Sequence, residues 1–90
     1  MEYVVLYSAK AKKEIQKMDH YDRAYIKKWI DKNLIGCTNP RLHGKNLIGN
    51  HSGMWRYRVG NYRLIADIND EKIIIFIVKV GQRKNVYEQS

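Results

Sequence analysis

The chain predicts an α+β fold of order β-α-α-β-β-β: an N-terminal strand, a two-helix hairpin and then an antiparallel β-meander, with helices segregated from sheet. Three observations predict it. Apolar residues recur at helical spacing between positions 9 and 34, with lysines between them. Strand-like runs occupy the opening residues and everything from Met54 to Val80, punctuated by Gly60-Asn61 and Asn69-Asp70. Ninety residues leave room for one core, so residues 1–90 are expected to form a single domain.

Each element follows from its residues. Glu2 to Tyr7 is β-branched and aromatic, a first strand of about six residues. Ser8 is placed to cap the helix after it, in which Ala11, Ile15 and Met18 share a face. Asp19 caps a second helix, and Asp22 sits at the positive end of its dipole. Tyr25, Ile26, Trp29, Ile30 and Leu34 make its apolar stripe, and Gly36 ends it as a left-handed terminator. His20, between the helices, reads as structural. Thr38 to His51 reads as a loop, with Pro40, Gly44 and Gly49 breaking any periodicity. WRYRV and YRLIADI then alternate around a Gly-Asn turn, the strongest short-range hairpin signal in the chain. KIIIFIVKV is apolar on both faces, as a covered central strand requires.

Composition excludes several classes. The longest apolar run, Ile73 to Val78, is far short of the ~18 residues of a membrane span, and the opening residues lack the basic start of a secretion signal. One cysteine, Cys37, cannot form an internal disulfide, so a reducing cytoplasm is the expected location. Seventeen Lys plus Arg against nine Asp plus Glu give a net charge of +8, which draws polyanions such as nucleic acid or an acidic protein partner. No carboxylate pair and no His/Cys cluster at metal-ligand spacing is visible, and neither a cofactor nor a metal is expected.

The Gly60-Asn61 turn fixes a register. With those two residues as the loop, Val59 faces Tyr62, Arg58 faces Arg63, Tyr57 faces Leu64, Arg56 faces Ile65 and Trp55 faces Ala66. Directly opposed residues project to one face and neighbours alternate. One face therefore carries Trp55, Tyr57, Val59, Tyr62, Leu64 and Ala66; the other gathers Arg56, Arg58 and Arg63. Like charges across a ladder are destabilising, by up to about 1 kcal/mol per pair, so the arrangement calls for an anion. Guanidinium forks match phosphate oxygens bidentately. Arg83 follows the last strand, and a tail folded back over the sheet would add it and Tyr87 to the cluster. Arg41 and Lys45 in the loop, with Lys13 and Lys17 on the first helix, are candidate contacts to an RNA backbone; a solvated helix face explains the helical lysines equally well.

The stretch MWRYRVGNYRLIADINDEKIIIFIVKVGQRKNVYE, preceded by RLHGKNLIG, resembles the RelE toxins of bacterial type II toxin–antitoxin modules. The likeness extends through the opening strand and both helices. It implies a RelE-like microbial RNase-type fold in the RelE/ParE superfamily, and a ribosome-dependent endoribonuclease that enters the A site and cuts messenger RNA by 2′-hydroxyl attack, with no metal. It also implies neutralisation by a cognate antitoxin, with operator DNA bound only through the antitoxin complex. By the same resemblance Arg56, Arg58, Arg63, Arg83 and Tyr87 are the catalytic set, Tyr87 either orienting the 2′-hydroxyl or stacking on a base. The family's better-known pattern has lysines where this chain has Arg56 and Arg58. A guanidinium does not give up its proton, so a base role does not carry over. His43 and His51, flanking the glycine-rich loop, are the alternative acid/base candidates. A non-catalytic gyrase poison of the ParE type, or an RNA-binding member that has lost catalysis, are the competing readings.

Overall fold

The computed structural model of the protein describes residues 1–47 and 53–82. Its elements are β1 (Val4–Tyr7), α1 (Ala9–Gln16), α2 (His20–Asn33), β2 (Lys45–Asn46), β3 (Trp55–Val59), β4 (Tyr62–Asn69) and β5 (Ile74–Gln82). They form one five-stranded sheet of order β1-β5-β4-β3-β2. The expected architecture holds, with two additions. β1 pairs with β5 in parallel, Val4 beside Ile74 through Tyr7 beside Ile77, while the other three pairings are antiparallel. The loop before β3 contributes the two-residue β2, too short to show any period.

Local chemistry sets the helix starts. Ser8 Oγ accepts from the Ala11 backbone N–H at 3.0 Å, and Asp19 Oδ1 accepts from that of Asp22 at 2.9 Å. Gly36 takes φ of +76° just past α2, as a left-handed helix exit requires. Ser8 also serves the sheet. A register shift between Ile65 and Ala66 moves their partners from Lys79 to Ile77, leaving Val78 as the extra residue of β5. The Ser8 hydroxyl donates to the freed Val78 carbonyl at 2.8 Å. A second side chain, Glu14, accepts from the Val80 backbone N–H at 2.9 Å.

Both helices cover the same face of the sheet. Ala11, Ile26, Ile30 and Leu34 pack with Tyr57, Val59, Leu64, Ala66, Ile75, Ile77 and Val80 into the main core. The apolar face expected of the β3–β4 hairpin is thus the buried one. A smaller cluster of Leu47 and Ile65, flanked by Met54 and Val78, forms on the opposite face. The β5 strand therefore meets apolar neighbours on both sides, as its composition required.

The turn between β4 and β5 is tied to the N-terminus. Asp70 Oδ1 accepts from the Tyr3 hydroxyl at 2.7 Å and from Arg41 Nη1 at 3.0 Å. These two hydrogen bonds, Arg41's the larger influence, hold the Asp70 carboxyl below its ordinary range. Because the folded state favours the charged form, the latch stabilises above the ordinary aspartate range and is lost as pH falls through the lowered folded value. The pair is exposed, so its effect is small. Thermal unfolding of Asp70→Asn should show a slightly lower midpoint than the parent at neutral pH, and the gap should close once acid has protonated Asp70.

Candidate functional site

The hairpin register is the predicted one at all five positions, including Arg58 directly across from Arg63. Since Tyr57, Val59, Leu64 and Ala66 face the helices, Arg56, Arg58 and Arg63 share the helix-free face. They do not sit there alike. Arg63, on the inner strand β4, is 3% exposed; Arg56 is half-buried and Arg58 is exposed. Arg63 is framed by backbone on both sides, with Arg58 opposite on β3 and Gly81 opposite on β5. Gly81 places no side chain beside the guanidinium.

Two further cations join this face. Lys45 on β2 pairs with Arg56, and Lys79 on β5 pairs with Ile65, one step along the ladder from Arg63. Lys79 is 8% exposed, so it is part of the packed surface rather than a solvated charge. The sequence reading missed Lys79, because a lysine inside KIIIFIVKV looks like an interruption of a core strand. Only the β4–β5 register reveals it, where Gly81 and Lys79 oppose Arg63 and Ile65 beyond the irregularity at Val78.

The remaining predicted residues are distributed differently. Lys13 and Lys17 are exposed on and just after α1, in the helix layer, and lie away from the arginine face. Arg41 belongs to the Asp70 latch, its guanidinium carbon 5.9 Å from the Trp55 ring centroid. His51, Arg83 and Tyr87 lie outside the described residues. His20 is the exposed first residue of α2. Cys37 is half-buried, and burial raises its thiol pKa, which makes it a poor nucleophile.

His43 is held on two sides. Its carbonyl accepts the Trp55 indole N–H at 2.7 Å, and its ring meets Trp29 edge-on at 5.9 Å between centroids. Trp29 in turn leans on Tyr57 at 5.7 Å, and the buried Tyr57 hydroxyl donates to the Pro40 carbonyl at 2.6 Å. Core, loop and arginine strand are thereby joined. Gly44 completes the joint: at φ of +86°, a Cβ there would run into the Arg56 carbonyl oxygen and come within 2.7 Å of Trp55 Nε1. Gly53, at φ of +90°, has open space around it. Gly53→Ala should therefore cost about 1–2 kcal/mol for the left-handed backbone alone. Gly44→Ala should add about 1–3 kcal/mol of overpacking, read as the difference between the two in urea unfolding.

The comparisons with known proteins agree with this fold. The model of the family described as the ParE toxin of the type II toxin–antitoxin system, parDE, matches residues 5–87. A putative RelE-like toxin protein of Escherichia coli is 32% identical over 93% of this chain and 86% of its own length. The mRNA interferase toxin RelE of Escherichia coli K12 is 29% identical over the whole chain and 95% of its own length. Among solved structures, the RelBE2 toxin–antitoxin complex of Mycobacterium tuberculosis superposes with a TM-score of 0.82 at 26% identity, over 92% of this chain and 93% of that one. The isolated Escherichia coli RelE toxin gives 0.71 at 27% identity, over 97% and 93%. Fold and matches together define a small toxin domain of the type II toxin–antitoxin class. The chain belongs to the ParE toxin family of those systems, and its relatives make it a RelE-like member.

Proposed function

We propose that the protein is a ribosome-dependent endoribonuclease that cuts messenger RNA on the arginine face and is neutralised by a cognate antitoxin. The observation that carries this reading is the packing of Arg56, Arg58 and Arg63 on one helix-free face, with Arg58 opposed to Arg63. A fold selected for stability alone disfavours that pairing, and a phosphate relieves it. The family and the mRNA interferase names of its relatives support the substrate class.

The reaction is an internal displacement. The 2′-oxygen attacks the adjacent phosphorus, the P–O5′ bond breaks, and a cyclic phosphate and a 5′-hydroxyl are left; the 2′-hydroxyl loses its proton and the departing 5′-oxygen gains one. Charge grows on the non-bridging oxygens as the phosphorane forms. Arg63, fixed by burial in the inner strand, stabilises that charge without reorganising, with Arg56 and Arg58 beside it. A guanidinium keeps its proton, so these three act by charge and position and not by proton transfer. Arg83 and Tyr87 enter this scheme by resemblance, Arg83 either holding the phosphate or sitting near the leaving oxygen, and Tyr87 orienting the 2′-hydroxyl or stacking on a base. Lys45 supplies backbone neutralisation at the edge of the face.

In the cytoplasm the antitoxin would mask the arginine face with an acidic or amphipathic segment, and the pair would meet operator DNA through the antitoxin. The description of the matching family favours a second reading, a gyrase poison of the ParE type that needs no arginine constellation. Primer extension on translated and untranslated messages after induced expression separates them. Fresh 5′ ends within codons of translated messages only are expected; growth arrest without such ends would leave the gyrase reading and remove the nuclease.

A further inference from the structure

A cleft of about 330 Å³ opens at the outer edge of β3, where the short β2 leaves the strand uncovered. Its walls are Trp29 from α2, the loop residues His43 and Gly44, and Lys45, Arg56 and Arg58 from the sheet. Arg63, on which the proposed chemistry centres, does not line this cleft. Its volume falls within the range of small-ligand sites, roughly 300–1,000 Å³. Among the described residues, its lining pairs two aromatic rings with three cations and includes no carboxylate.

From this lining we infer that the cleft is a nucleotide subsite, taking the base of a residue neighbouring the scissile phosphate. The aromatic wall formed by Trp29 and His43 receives the base, and Arg56, Arg58 and Lys45 hold the phosphate that connects it to the cut. Aromatic rings stack on any base and guanidinium groups grip any phosphodiester, so this lining suits single-stranded RNA with its bases splayed out. Two features show that the wall is built rather than incidental. His43 is pinned by its carbonyl on the Trp55 indole and by its ring on Trp29. Gly44 lets the chain pass close against the Arg56 carbonyl and the Trp55 indole, where a Cβ would collide, and so seats the loop that carries His43 tightly on β3. Arg56 and Arg58 lie both in the cleft and on the catalytic face, so one RNA strand can cross from one to the other.

The identity of the ligand as RNA rests on the proposed function; the test does not depend on cleavage. The chain has two tryptophans, and both adjoin the cleft, Trp29 as a wall and Trp55 through its bond to His43. Their fluorescence therefore reports a base entering. Titrating the full-length protein with a trinucleotide blocked by 2′-O-methylation should give saturable quenching. Binding should weaken about tenfold in His43→Ala, which removes an exposed ring and keeps the carbonyl, and by a similar factor when the probe is abasic. Trp29→Phe, which keeps the apolar packing on Tyr57, should retain most of the affinity measured by anisotropy of a labelled probe. Equal affinity for abasic and intact probes, or an unchanged affinity in His43→Ala, would overturn the subsite. In translation-coupled cleavage, His43→Ala should raise KM with kcat retained; a fall in kcat with KM unchanged would assign His43 to proton transfer and also overturn it. A wild-type protein that quenches with the probe but cuts no message would sink the nuclease reading and leave the subsite standing.

Discussion

Arg63→Ala should lower translation-coupled cleavage by about 10²–10³-fold, the loss that follows removal of one preorganised donor to a developing oxyanion. Arg63 is the arginine with the least freedom: 3% exposed, on an inner strand, with Arg58 on one side and Gly81 on the other. On the proposed mechanism, a side chain held this firmly needs no reorganisation as the phosphorane forms, so a neighbour swinging in should not compensate for its removal. Arg63→Lys should recover only a small part of the rate, because an ammonium lacks the planar fork that meets two phosphate oxygens at once. Arg58, exposed on β3, should be more forgiving, with Arg58→Lys retaining most of the rate. Circular dichroism of Arg63→Ala should match the parent, which separates lost chemistry from lost fold. A variant that folds normally and still cuts messages at the parental rate would remove Arg63 from the site.

Tyr57→Ala should produce the largest loss of stability, about 3–5 kcal/mol for truncating a fully buried aromatic side chain. For a chain of this size the total stability is on the order of 5–14 kcal/mol, so the variant should be partly unfolded at growth temperature. Tyr57 carries two separable contributions. Its ring fills the core against Trp29, and its hydroxyl donates to the Pro40 carbonyl, anchoring the loop that presents His43. Tyr57→Phe should therefore cost about 1–3 kcal/mol by leaving that carbonyl without its donor, with little disturbance of the core. Burial raises the Tyr57 hydroxyl far above the ordinary phenol range, so it stays protonated and able to donate throughout the working pH range. Urea unfolding of the two variants gives both numbers; a Phe variant as unstable as the Ala variant would place the whole effect in the loop anchor.

The arginine face was legible because a two-residue turn leaves the hairpin almost no choice of register. Gly60-Asn61 sets Val59 against Tyr62, and alternation then decides the side of every residue back to Trp55. Lys79 was not legible, since its side depends on the irregularity that skips Val78, which no local pattern announces. The pinning of His43 was equally hidden. It requires Trp29, fourteen residues earlier in the chain, and Trp55, twelve residues later, to converge on one loop. Arg41 illustrates the converse: its charge is visible in the sequence, but its ion-pair partner Asp70 lies twenty-nine residues away.

By itself, then, the order of residues determined what neighbours decide among themselves: the caps at Ser8 and Asp19, the exit at Gly36, and the hairpin that lines up three guanidinium groups. Only the tertiary structure decided that β1 lies parallel to β5, that Lys79 joins the arginines, and that a cleft opens beside Trp29. The reason is physical. A cap or a two-residue turn is fixed by a few dihedral angles and one or two hydrogen bonds. Pairings across sixty or more residues are chosen by the apolar surface that the whole assembly buries, a sum to which every element contributes.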